Sequence, residues 1–311
     1  MKVRPLRGLI CLIAATVLTV SCGGGGSGGG EDTVVFPETA PALNGNFNLS
    51  INGGLNSDFV ELMDGALAPR VAYLNRVTDL PKDIPVAMED CGISNAFYVL
   101  ELSDQQLAEL EIDEQFNGPL IFLCWELLYD TLNFFNDAFE DPEVAVLSSL
   151  GAYTQVLYHE VGHALDDQLD LPIVGNTESA ADSIATVLAV EEGFGIFPLS
   201  AALLFDASGD GSFAAVHPGG ADRAGDLFCW ALGGDADLAG SFTELMQIFA
   251  NSGRDCVAEY AALLDSVTTL LPGIAGTFAK QPPVELTDAA LEDLRTAVLS
   301  SNAMAKMTGA N

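Results

Sequence analysis

Only three histidines occur in this chain of 311 residues, and two of them stand four apart in His159-Glu160-Val161-Gly162-His163. On a helix, residues four apart project from one face, one turn from each other. Both imidazoles can therefore reach one ion without backbone distortion, which is the geometry of a zinc site. Zinc lowers the pKa of a bound water to about 7 and polarises a carbonyl. Glu160, the next residue along, is placed to take that water's proton and return it to a leaving amine. The chemistry expected is amide hydrolysis around one catalytic zinc ion, with a peptide or protein as substrate. The plain alternative is a helix with two surface histidines. A catalytic site also needs a third protein ligand and an open position. Glu178, at the start of the next expected helix, is the first candidate, and Asp182 and His217 are the others.

Further residues could join this chemistry. His217 lies in Val216-His217-Pro218-Gly219-Gly220, with Asp222 and Arg223 just after. A His or Arg on such a loop could stabilise an oxyanion, or His217 could make only a local hydrogen bond. Asp206-Ala207-Ser208-Gly209-Asp210-Gly211 resembles the first half of a calcium loop, but its twelfth position is His217 instead of Glu. No Gly-x-Ser-x-Gly occurs, which argues against a serine nucleophile of that kind. The glycine run at 23–30 has no strand before it and no helix after it, so it is no phosphate loop.

The elements that must position these residues follow from periodicity. Helical spacing covers 58–76 and 125–139, with strands at 96–100 and 120–124. Pro81 and Pro85 end the first helix, and Asp141-Pro142 breaks the second. The motif lies on a helix over 147–169. Thr177 can cap a further helix over 178–191. A Gly- and Asp-rich loop covers 206–224, and helices are expected over 225–232, 242–250, 257–271 and 287–301. The expected class is α+β: a small mixed sheet, then the motif helix, then a mainly helical C-terminal half.

The first segment reads as a targeting signal. Lys2, Arg4 and Arg7 precede an apolar run that ends at Leu18-Thr19-Val20-Ser21-Cys22. That tail resembles a bacterial lipobox, with Cys22 as the lipidated N-terminus after removal of residues 1–21. An ordinary signal peptide is the alternative, and would give a secreted protein. Residues 22–56 would be the lipidated Cys, a Gly/Ser tether and a poorly ordered lead-in, and 57–311 the folded domain. Removing residues 1–21 takes away three basic groups and no acid, making the rest more negative than −33. Such a charge makes nucleic acid and anionic membrane surfaces unlikely partners, leaving the N-terminal lipid as the contact with a membrane. The expected location is the bacterial cell envelope, at the outer membrane. Four cysteines then remain, Cys91, Cys124, Cys229 and Cys256, an even number that suggests two disulfides in an oxidising compartment. Three pairings are possible. Cys91 with Cys124 and Cys229 with Cys256 are favoured, because each pair lies within one local block. A cysteine zinc site lacks any close Cys-x-x-Cys spacing.

Two resemblances sharpen this. Glu178-x-x-x-Asp182 after His-Glu-x-x-His is similar to the pattern of the gluzincin metallopeptidases. That likeness implies Glu178 as third ligand and Asp182 as the carboxylate holding a ligand His by its other nitrogen, which would fix its tautomer. The chain also resembles a bacterial family of zincin-like metallopeptidases of uncharacterised function. The likeness is carried by Cys91 to Tyr98, Ile121 to Leu127, His159 to Leu165, Leu171-Pro172, Gly175 to Asp182, His217 to Arg223 with Cys229, and Cys256 with Glu259-Tyr260. It covers roughly residues 85–265 and implies ligands at His159, His163 and Glu178, with Glu160 as base. It adds weight to the Cys91–Cys124 pairing. This chain departs from the family by keeping only Glu178 of an acidic run at 177–179, and by a longer segment between its two strands. The rival readings are a zinc-binding envelope protein without catalysis and an acidic surface module that binds cations or partner proteins.

Overall fold

A computed structural model describes residues 45–53, 56–101, 118–208, 220–271 and 286–309. The elements are β1 (Phe47–Ile51), α1 (Ser57–Val77), β2 (Ile84–Glu89), β3 (Ala96–Val99), β4 (Leu120–Cys124), α2 (Trp125–Ala138), α3 (Pro142–Leu169) and α4 (Thr177–Glu192). They continue with α5 (Ile196–Ser208), α6 (Gly220–Gly234), α7 (Ala236–Ser241), α8 (Thr243–Asn251), α9 (Cys256–Leu270), α10 (Asp288–Leu299) and α11 (Asn302–Thr308). The class is α+β, mostly helical around a small four-stranded sheet of order β1-β2-β4-β3. β1, β2 and β4 run parallel. β3 is the antiparallel edge strand, with Tyr98 opposite Ile121.

Two of these strands depart from the sequence expectation. β1 lies inside the segment expected as a poorly ordered lead-in, so the fold begins ahead of residue 57. Its Phe47, Leu49 and Ile51 alternate with the exposed Asn48 and Ser50, a period of two that flanking turn residues obscure. β2 contains Pro85, read as a helix terminator. Pairing with β4 begins only at Val86, so the missing N–H of Pro85 costs the sheet no bond. β4 is buried along its whole length, as a strand covered on both faces must be.

α3 is the central element. Asp141 accepts the N–H of Glu143, and Pro142 occupies the first turn, where its absent donor is not needed. Asp141-Pro142 thus starts α3 as well as ending α2, five residues ahead of the expected start. From Val144 to Leu165 nearly every residue is buried, the mark of a helix packed on all sides. Asp170 closes it in the left-handed conformation, φ 48°. Asn176, not Thr177, caps α4, accepting the N–H of Glu178 at 2.9 Å. α5 fills a stretch, between 191 and 206, to which the periodicity assigns no helix; its Pro198 lies in the first turn, where no donor is lost. Asp206 is helical and buried, and its two carboxylate oxygens accept the N–H groups of Asn302 and Ala303, each at 2.7 Å. It anchors the start of α11, so the first position of the supposed calcium loop is already committed. Among the described residues, no helix is long and apolar enough to cross a membrane.

Candidate metal centre

α3 and α4 pack at a point fixed by a glycine. A Cβ on Gly162 would lie 2.8 Å from the Cα of Ala181 and 2.9 Å from its carbonyl oxygen. The motif residue between the two histidines is therefore where the next helix lies on the first. One turn away, Tyr158 donates its hydroxyl to the buried Glu192, whose other oxygen lies 2.8 Å from Nε of Arg70 on α1. Gly162→Ala is expected to cost about 1–3 kcal/mol by overpacking and to weaken metal binding by moving α4. Denaturation with and without metal would detect both; unchanged metal affinity would show that the contact does not set the site.

That packing brings three donors together. Nε2 of His159 lies 3.1 Å from Nε2 of His163 and 3.2 Å from Oε2 of Glu178. Nε2 of His163 lies 3.4 Å from Oε1 of Glu178. His159, His163 and Glu178 thus form one of the two groups of convergent ligand atoms among the described residues. In the other, with Glu126, Cys91 and Cys124 are joined to each other in a disulfide. Tetrahedral zinc with N and O ligands at about 2.0–2.2 Å places neighbouring donors about 3.3–3.6 Å apart. The 3.1 Å between the two imidazole nitrogens is just under that edge length, and each histidine meets a different oxygen of Glu178, at 3.2 and 3.4 Å.

Behind the site, Nδ1 of His159 meets Oδ1 of Asp182 at 2.8 Å. Asp182 accepts only, so Nδ1 carries the hydrogen, and in the neutral ring Nε2 turns its lone pair toward the donor cluster. Arg223 grips the same carboxylate with a two-pronged contact, Nε to Oδ2 and an Nη to Oδ1, both 2.6 Å. Its guanidinium lies 3.9 Å from the centre of the Phe205 ring. Burial opposes ionisation of Asp182, but Arg223 first and then His159 pull its carboxyl down to about 2. Arg223 is therefore not a loop group facing a substrate. It is buried on α6, behind His159, and its side chain is committed to Asp182. No local sequence pattern joins residues 41 apart.

Glu160 is 4% exposed, and its Oε2 accepts the backbone N–H of Tyr98 on β3 at 2.7 Å. With Arg223 neutralising Asp182, the Glu178 carboxylate is the acidic group left among the three donors, which suits a divalent cation. In the metal-free protein, burial disfavours a charged His159. Asp182, by charge and hydrogen bond, and Glu178 outweigh this and push its pKa up to about 9. Below that pH a proton competes with metal. Apparent zinc affinity is then expected to rise roughly tenfold per pH unit between pH 7 and 9, one proton being released per ion. Calorimetry in buffers of different ionisation enthalpy reads that proton; a flat pH profile would contradict it.

His217 and Cys22 lie outside the described residues. The cysteines pair as Cys91–Cys124 and Cys229–Cys256. The first holds the loop that enters β3, where Glu126 also accepts the N–H groups of Cys91 and Gly92. The second ties α6, which carries Arg223, to the start of α9. No curated protein and no solved structure matches the chain. A family profile does, over residues 60–271, a span holding every side chain of the cluster. On that match, the chain belongs to the family described as "Putative metallopeptidase".

Proposed function

We propose that this chain is a zinc-dependent metallopeptidase with a zincin-like, gluzincin-type site. The observation that carries the reading is the convergence of His159, His163 and Glu178, with both imidazole Nε2 atoms and the Glu178 carboxylate within 3.4 Å of one another. These three would hold the ion, and His217 and Asp182 are not needed as ligands. When bound, zinc supplies a Lewis acid that polarises the scissile carbonyl and acidifies water. Asp182, held by Arg223, keeps His159 in the tautomer that presents Nε2. Glu160 takes a proton from the attacking water and hands it to the leaving amine. With Oε2 engaged by Tyr98, Oε1 is the oxygen that performs the transfer. His217 could add a donor to a developing oxyanion.

One observation favours a second reading, zinc binding without catalysis: the carboxylate of Glu160 is buried and already engaged by a backbone N–H. A mixed peptide library separates the two. Protein with one zinc per chain is expected to cleave it and to stop when chelated. Stoichiometric zinc without any cleavage would overturn the peptidase. Undiminished zinc in a His159→Ala/His163→Ala double variant would overturn the metal site itself.

The basic start, the apolar run and Cys22 support export and lipid attachment at the outer membrane. A labelled fatty acid is expected to enter the full-length protein and not the Cys22→Ser variant. Equal labelling of both would remove the anchor from the reading.

A further inference from the structure

We infer that Tyr98 is a positioning residue: its hydroxyl, tied to Asp167, holds the edge strand so that its own backbone N–H fixes the carboxylate of Glu160. The inference rests on the reading of Glu160 as the base, and concerns what sets that base in place.

Tyr98 meets α3 at two points. Its N–H donates to Oε2 of Glu160, and its hydroxyl donates to Oδ2 of Asp167, each at 2.7 Å. Glu160 and Asp167 are seven residues apart, which on a helix is two turns along one face, or about 10.5 Å. One residue of β3 therefore spans the helix from inside the motif to its far end. Gln168 closes the far contact, donating to the Tyr98 hydroxyl at 3.0 Å and to Oδ2 of Asp167 at 2.5 Å. Burial first, and then the Asp167 carboxylate, push the phenol well above its ordinary range, so it stays protonated and remains a donor.

The strand needs such a hold. β3 has only four residues and pairs on one side alone, with β4. Its entrance is secured by the Cys91–Cys124 disulfide and by the N–H of Cys124 donating to Asn95 at 3.2 Å. Its exit is held by the sheet only as far as the buried Val99, opposite Leu120, and Leu100, just beyond, is exposed. The Tyr98 hydroxyl is the side-chain hydrogen bond that ties this end to α3. Without it the strand can lift, and the N–H that orients Glu160 lifts with it. A misplaced base lowers turnover while leaving the metal and the substrate contacts in place.

Selective labelling reads this directly. The chain has six tyrosines, so ¹⁵N-tyrosine protein gives a handful of amide signals, and Tyr98→Phe identifies the Tyr98 signal by its loss. In Asp167→Ala that signal is expected to shift and its solvent exchange to speed up at least tenfold, with the other tyrosine signals unmoved. Asp167→Asn, which keeps an acceptor oxygen, should restore it, and Glu160→Gln should shift the same signal. In turnover, Tyr98→Phe should lower kcat roughly 10- to 100-fold with KM and zinc content unchanged. Asp167 is exposed enough at this contact for the variant to fold. A Tyr98 signal indifferent to Asp167→Ala or to Glu160→Gln would overturn the inference even if the enzyme cleaves peptides. A responsive signal in a protein that cleaves nothing would overturn the peptidase reading and leave the clamp standing.

Discussion

Glu160→Gln is expected to lower peptide turnover by about 10²–10⁴-fold, the range that a single general base contributes, while zinc stays at one ion per chain. Gln is close to isosteric and keeps an oxygen that can accept the Tyr98 N–H, so strand and helix should remain docked. It cannot take a proton at neutral pH. The loss should therefore fall on kcat, with the metal affinity of the parent. A variant with parental turnover would mean that another group supplies the base. A variant that loses zinc would mean that Glu160 supports the ligand shell rather than the proton transfer.

The second large effect belongs to Arg223. Its removal leaves the buried Asp182 carboxylate facing His159 without its strongest cation. Breaking a buried pair from one side typically costs about 3–5 kcal/mol. For Arg223→Leu we expect a loss of that size in the metal-free protein, measured by denaturant unfolding. Zinc affinity should fall about 10- to 100-fold, as it does when the partner of a ligand histidine is disturbed. The pair Arg223→Leu/Asp182→Leu should recover much of the stability, since no charge is then stranded, yet recover none of the affinity. Equal recovery of both would show that the Asp182–Arg223 pair braces the fold without orienting His159.

The contrast between the two residues tells how far the sequence could be read. The proposed ligands lie on consecutive helices, 159 to 178, so periodicity and capping residues bring them together on the page. Periodicity starts α3 five residues late and puts the cap of α4 one residue off, errors that leave the donors where they are. The partners of those donors come from afar. Tyr98 reaches Glu160 across 62 residues and Arg223 reaches Asp182 across 41, and neither separation leaves a periodic trace. Gly219 and Gly220 give Arg223 the look of an open loop, whereas Gly220 begins α6. β1 and β2 escape the periodicity for a related reason. Turn-forming neighbours and Pro85 are local signals, and sheet pairing overrode them. The fold class was legible because it depends on many residues at once.

The close seat of α3 against α4 at Gly162 also bears on the order of assembly. All three donors sit on one helical hairpin, joined by a short link, so closing it costs little chain entropy. The contacts that would aim Glu160 as the proposed base and orient His159 are long-range and must wait for strand β3 and helix α6. Refolding should therefore capture the ion before it aligns the chemistry, and a partly folded chain would hold zinc without attacking its neighbours. Stopped-flow refolding in which zinc uptake lags the burial of Trp125 would contradict that order.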